Sequence, residues 1–364
     1  MDDSQIPFIS GLELSQQYYE QAVQPLLARK LPRLPYTAAL IGYGSDVTGF
    51  DTPMSRDHMW GPRMILFLAE RGYTQEFAQV DQALRGGLPR VINGYPTSFG
   101  PPDAGGVRLP LRSASGPVNH LIEITTIPRY FDRELGAGRW QNPTVADWLT
   151  FSEHRLLTLT GGRVFHDDLG LESVRGTLAY YPRDVWLYLL ASAWSAIGQE
   201  EPFVGRTGVV GDDLGSRLIA ARLARICMHL AFLLERRYAP YSKWFGSGFA
   251  RLEIAPRLGP HLAEALAAET WQPREEALCA AYKVLAEQQN ALGLTAPVEA
   301  RCSSFHDRPF QVIHGERVAA ALQAVIDDPV LRTLRPFGSV NQFSQSTDLL
   351  EETPVLEKLT CLYL

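Results

Sequence analysis

Gly42, Gly44 and Ser45 close an apolar run from Ala38 to Ile41, and Asp57 stands shortly before a second apolar run from Met64 to Leu68. A Gly-Ser turn can bring backbone N–H groups close to a phosphate, because glycine has no Cβ and serine adds a hydroxyl donor. A carboxylate at the edge of the neighbouring strand can then hold Mg²⁺ against that phosphate. Asp46 and Asp51 lie in the same loop as Asp57, but Asp57 is preferred because it stands next to the second strand.

Other residues could join this chemistry. Arg63, at the start of the second run, could meet phosphate. His58 could serve as a ligand only if the strand register slipped by one residue. Glu123 sits inside the β-branched string HLIEITTI, residues 120–127, with Thr125 on its face and Ile122 and Ile124 on the other. An acid there is costly to bury unpaired, so Glu123 is either a metal ligand or base, or the partner of Arg63 or Arg112. Lys243 and Trp244 follow a helix broken by Pro240, with Gly246 and Gly248 making a flexible turn after them. Such a pair could meet a nucleotide's phosphate and base, or the lysine could lie along the indole face at a domain interface. His154, His166, Asp167 and Asp168 fit no standard metal spacing and read as a surface helix–loop–helix cluster. No GxSxG and no Walker A string occurs, which argues against a hydrolase elbow and a P-loop kinase.

The Gly-Ser, aspartate and later-strand carboxylate layout resembles the nucleotidyltransferase (DNA polymerase beta-like) superfamily. The strings GYGSDVTGFDTPMSRDHMWGPR, from residue 42, and RRYAPYSKWFGSGFARL, from residue 236, resemble more specifically the bacterial family called domain of unknown function 4037. The resemblance implies nucleotidyl transfer from a nucleoside triphosphate to a small-molecule or protein hydroxyl, with Mg²⁺ as cofactor. It implies Asp57 and Glu123 as catalytic metal ligands, and Gly44, Ser45, Lys243 and Arg63 as phosphate or nucleotide contacts. Members of that family often read Asp-His-Asp where this chain reads Asp57-His58-Met59. A thioether is a soft, weak ligand for a hard cation, so Met59 removes one carboxylate from the expected pair. A catalytically weakened nucleotide- or ligand-binding protein of the same fold is the alternative.

The elements that must position these residues follow from hydrophobic period. The expected fold class is α+β: an N-terminal nucleotidyltransferase-like mixed sheet flanked by helices, then a mainly helical domain. A helix over 11–28 precedes strands at 38–44, 63–68 and 120–127, with a weaker strand at 107–111 and a helix at 75–84. These three main strands are expected to be sheet neighbours with Ser45, Asp57 and Glu123 converging at one end. Residues 144–158, 183–197, 212–236, 260–269, 273–291 and 315–327 carry apolar positions at helical spacing. The domains are expected at 1–140 and 141–364, with the ligand between them and Lys243 facing the Gly44–Ser45 turn.

Composition narrows the class. The chain of 364 residues has net charge −6 and no Lys/Arg run, so broad nucleic-acid binding through a basic surface is not expected. The four cysteines form no CxxC pair, which argues against zinc. No apolar run approaches the ~20 residues of a membrane span, and the first residues lack a signal-peptide core, so a cytoplasmic protein is expected.

Overall fold

The structure is a computed structural model that describes residues 7–56 and 59–364. Helix α1 (Gly11–Tyr18) runs through one π turn into α2 (Gln24–Lys30), followed by β1 (Tyr36–Leu40), β2 (Arg63–Leu68) and α3 (Tyr73–Gly87). A short hairpin, β3 (Val91–Ile92) and β4 (Tyr95–Pro96), precedes β5 (Leu121–Thr125) and α4 (Ile127–Leu135). Then come α5 (Val145–Thr150), α6 (Glu153–Thr160), β6 (Arg163–Asp167) and α7 (Leu171–Thr177). The rest is helical apart from the hairpin β7 (Ser303–Ser304) and β8 (Gln311–Val312): α8 (Arg183–Glu200), α9 (Phe203–Val209), α10 (Asp213–Leu234), α11 (Ser242–Phe249), α12 (Ala255–Ala267), α13 (Trp271–Ala291) and α14 (Gly315–Gln323), then the short α15 (Pro329–Thr333), α16 (Val340–Phe343), α17 (Thr347–Glu351) and α18 (Thr353–Lys358).

Two compact units divide the chain: Met1–Asn142 with Arg155–Ala179, and Pro143–His154 with Tyr180–Leu364. The first holds a four-stranded mixed sheet in the order β5-β2-β1-β6. Strand β1 is antiparallel to β2 and to β6, and β2 is parallel to β5. Every residue of β1 and β2 is buried, and apart from Thr37 and Arg63 both read as apolar runs in the middle of the sheet. In the edge strand β5, Ile122 and Ile124 are buried while Leu121 and Glu123 are half-buried, the alternation expected of an edge. One core cluster packs Leu14, Tyr18, Val23, Leu26 and Leu27 of the opening helices and Leu84 of α3 with Ala38, Leu66, Ile122 and Ile124 of the strands. Helix α4 starts with a cap in which Thr126 Oγ1 accepts from the Arg129 N–H, and it buries Ile127, Tyr130, Phe131 and Leu135 along one stripe.

The sheet departs from the sequence reading: the first strand, expected at 38–44, runs instead from Tyr36 to Leu40. Residues 107–111 form no strand; the pairing there is a single bridge between Phe99 and Pro110. The fourth strand, β6, lies beyond residue 140 and includes His166 and Asp167, which the sequence had placed in a helix–loop–helix cluster. Asp167 accepts from the N–H groups of Gly170, Leu171 and Glu172 at the start of α7, and from Thr37 Oγ1 at 2.8 Å. Burial pushes its carboxyl up, but these donors outweigh burial and hold it below the usual range. His166 pairs with Asp168 at 2.9 Å. The cluster therefore ends a strand and caps a helix.

In the second unit α8 packs against α10 and α14, and α10 against α9, α12 and α13. Helix α8 buries residues around most of its circumference, from Val185 to Ile197, as a central helix must. The expected flexible turn at Gly246 and Gly248 is instead the body of α11, and a Cβ at Gly248 would crowd Pro240 and Phe232. Among the described residues no helix is long and apolar enough to cross a membrane.

Candidate functional site

At the end of β1 the chain turns through Gly42 at φ +83° and Gly44 at φ +117°, conformations that cost a side-chain-bearing residue dearly. Space requires glycine as well. A Cβ on Gly42 would collide with the Tyr130 hydroxyl, and one on Gly44 with the Asp46 carboxylate and Arg63 guanidinium. Beneath the turn Arg63 Nη2 donates to the Tyr43 carbonyl and to Asp46 Oδ1, both at 2.7 Å, while its guanidinium lies 4.3 Å over the Tyr43 ring. Asp46 Oδ1 also accepts from the Val47 N–H at 3.0 Å. Burial opposes the Arg63 charge, but Asp46 beside it more than offsets this and raises its pKa. The pair is almost wholly enclosed, with side chains 5% and 1% exposed. Arg63 thus braces the turn from below, and Asp46 is its partner, a role the sequence reading missed.

Strand pairing brings Glu123 to the same part of the sheet: Arg63 lies opposite Leu121, and Ile65 opposite Glu123. Glu123 takes neither of its expected partners. Its Oε1 accepts from Arg133 Nη1 at 2.6 Å, and Arg133 also bonds Glu134 at 2.9 Å, which in turn pairs with Arg155. Arg112 instead donates to the Gly94 carbonyl. Arg133 lies on the helix directly after β5, three residues beyond Tyr130, with its guanidinium 4.8 Å over the Tyr130 ring. Tyr43, Arg63, Arg108, His120 and Glu123 line one cavity of about 240 Å³ beside the turn.

Asp57 and His58, the first of them the principal expected ligand, lie outside the described residues. The neighbouring acids are committed elsewhere: Asp46 to Arg63, and Asp51 Oδ2 to the Gly11 N–H at 2.7 Å and Trp60 Nε1 at 3.2 Å. Among the described residues no three of His, Cys, Asp and Glu gather as a cation site. Met59 holds φ +52°. Glu123 is the one described carboxylate lining the cavity, and it already faces a guanidinium.

His120 gives the cavity a pH-sensitive wall. Its Nδ1 accepts from the Ile122 N–H at 3.2 Å, and Nε2 lies 3.4 Å from Asp81 without the alignment of a hydrogen bond. Burial lowers its pKa to about 4, assisted by Arg85 and Arg108 and opposed by Asp81. The unfolded chain therefore binds this proton below about pH 6.5, whereas the folded chain waits until about pH 4. Stability should fall as pH drops through that window, by on the order of 3 kcal/mol from this group. Urea unfolding of wild type and His120→Gln between pH 4.5 and 7 checks this. The variant should lose part of the acid sensitivity; parallel curves would contradict it.

Lys243 belongs to the second unit, where it is exposed on α11 with its ammonium 5.1 Å from the Trp244 ring centroid.

Residues 148–245 match the family model described as a domain of unknown function, DUF4037. This is the family that the string from residue 236 resembles, and the match includes Lys243. No curated protein is significantly similar to the chain. Among solved structures, a nucleotidyltransferase-like protein from Exiguobacterium sibiricum 255-15 is similar at 10% identity and TM-score 0.33, over 85% of this chain and 89% of that one. A likeness that weak carries no structural inference.

Proposed function

We propose that this protein transfers a nucleotidyl group from a nucleoside triphosphate to a hydroxyl of a small molecule or protein, the triphosphate arriving as its Mg²⁺ complex. One observation carries the reading: a Gly42–Ser45 turn with two left-handed glycines, braced by a buried ion pair, opens beside a cavity shared by Tyr43, Arg63 and Glu123. Nucleotidyl transfer asks little covalent work of a protein; it asks for phosphate positioning and charge neutralisation. The turn's N–H groups and Ser45 hydroxyl would hold phosphate, and Asp57 and Glu123 would face the cation. Mg²⁺, when bound with the triphosphate, supplies charge neutralisation at the transferring phosphorus.

The alternative, a nucleotide-binding protein with weakened catalysis, has its own support in the Glu123–Arg133 ion pair and in Met59. A guanidinium on the carboxylate competes with any cation. Calorimetric titration with ATP and GTP, with and without Mg²⁺, tests the shared claim of triphosphate binding. Ser45→Ala should weaken Mg·triphosphate binding by about tenfold, the worth of one charge-assisted hydrogen bond. Release of pyrophosphate on adding hydroxyl acceptors favours transfer; binding without it favours the weakened protein. No triphosphate binding at all removes both readings.

A further inference from the structure

The second unit holds a polar cluster that the nucleotide reading does not use. Arg225 and His229 stand four residues apart on α10, so they share a face of the helix. His229 Nε2 lies 2.8 Å from Glu153 Oε2, and Tyr181 Oη donates to Glu153 Oε1 at 3.1 Å. The Glu153 side chain is 4% exposed. Its own N–H is fixed by Asn341 Oδ1 at 2.9 Å, and Asn341 Nδ2 donates to the Phe151 carbonyl at 2.8 Å. With Tyr181 on one oxygen, the buried carboxylate takes Nε2 as an N–H donor.

Arg225 is the second observation. Its guanidinium lies 4.4 Å over the Phe245 ring and has no hydrogen bond or ion pair among the described residues. Burial lowers its pKa. Arg222, one turn earlier, is paired with Glu200 at 3.0 Å. A half-buried guanidinium resting on an aromatic face keeps its planar fork of donors for a carboxylate or phosphate. Two cavities, of about 50 and 380 Å³, meet at Arg225 and His229; the smaller is lined by Ser152 and Ser242, the larger by Phe337 and Phe343.

We propose that this groove binds a small organic anion, a carboxylate or phosphate monoester carrying an apolar or aromatic body. Arg225 grips the anion, the paired Glu153 and His229 form the polar wall beside it, and Phe337 and Phe343 meet the body. The claim is independent of the nucleotide reading, since every residue in it belongs to the second unit.

The test is calorimetric titration of the full chain with benzoate, phenyl phosphate and inorganic phosphate. Saturable binding of benzoate or phenyl phosphate at or below about 1 mM is expected, with inorganic phosphate at least about tenfold weaker. Benzoate alone would assign carboxylates, and phenyl phosphate alone phosphate monoesters. Arg225→Gln should weaken binding by about tenfold or more, and Arg225→Lys by less, because the charge stays while the fork is lost. If Arg225→Gln fails to fold, Arg225→Lys decides. Neither aromatic anion binding below about 10 mM, or both variants binding as wild type does, overturns the proposal. Inorganic phosphate binding as tightly as phenyl phosphate overturns the apolar body.

Discussion

Replacing Met59 with aspartate is expected to tighten Mg²⁺-dependent triphosphate binding by about tenfold, equivalent to about 1.4 kcal/mol. Two physical effects point the same way. A carboxylate replaces a thioether that cannot serve a hard cation. Met59 also sits at φ +52°, in the left-handed region where an aspartate is held at lower cost than a long apolar side chain. Met59→Asp should therefore not reduce stability while it adds a ligand. Asp57→Asn should abolish the metal dependence of binding, because Glu123 is already paired with Arg133 and cannot hold the ion alone. Titration of Mg²⁺ into wild type and both variants, with a triphosphate present, reads the outcome. Equal affinity in all three would show that this segment is no metal site, and nucleotidyl transfer would have to be given up for this chain.

The second large effect is on folding. Arg63→Met should destabilise the sheet-bearing unit by about 3–5 kcal/mol, the cost of leaving one member of a buried ion pair behind. Asp46 would keep its charge at 2% exposure, and the Tyr43 carbonyl would lose its donor. The double variant Arg63→Met/Asp46→Asn should recover a substantial part of the loss, since the stranded charge is gone. Urea unfolding of the two single variants and the double completes the cycle. An Arg63→Met loss under about 1 kcal/mol would mean that the pair does not brace the turn. Triphosphate binding should fall with the single variant even below its unfolding midpoint, because the turn loses the group that fixes its carbonyl.

Much of the fold was legible because burial writes itself into period. Apart from Thr37 and Arg63, strands β1 and β2 are apolar, and β5 alternates; β2 and β5 were read near their observed bounds, while β1, expected at 38–44, ends at Leu40 where the chain turns. Strand β6 was missed because RVFHD is short, charged at both ends and half-exposed, which hides an edge strand from hydrophobic pattern. The Gly42 and Gly44 turn was readable, since only glycine tolerates both the dihedrals and the close approach. The partners of the charged residues were not. Whether Glu123 meets Arg63, Arg112 or Arg133 depends on where α4 docks after β5, a tertiary fact that spacing does not carry. The same holds for Arg225, His229 and Glu153, which converge from two helices far apart in sequence.

The pairing of β1 with β6 joins Thr37 to Asp167 across a separation of 130 residues. On the ribosome, the first three strands emerge long before the fourth, and β1 waits with one row of amide and carbonyl groups unsatisfied. A polypeptide ended near residue 140 would stay in that state permanently, offering its open margin to another copy. The excursion through 143–154 therefore makes the sheet a late product of synthesis, closed only when a segment made after the chain has first left that unit returns to it.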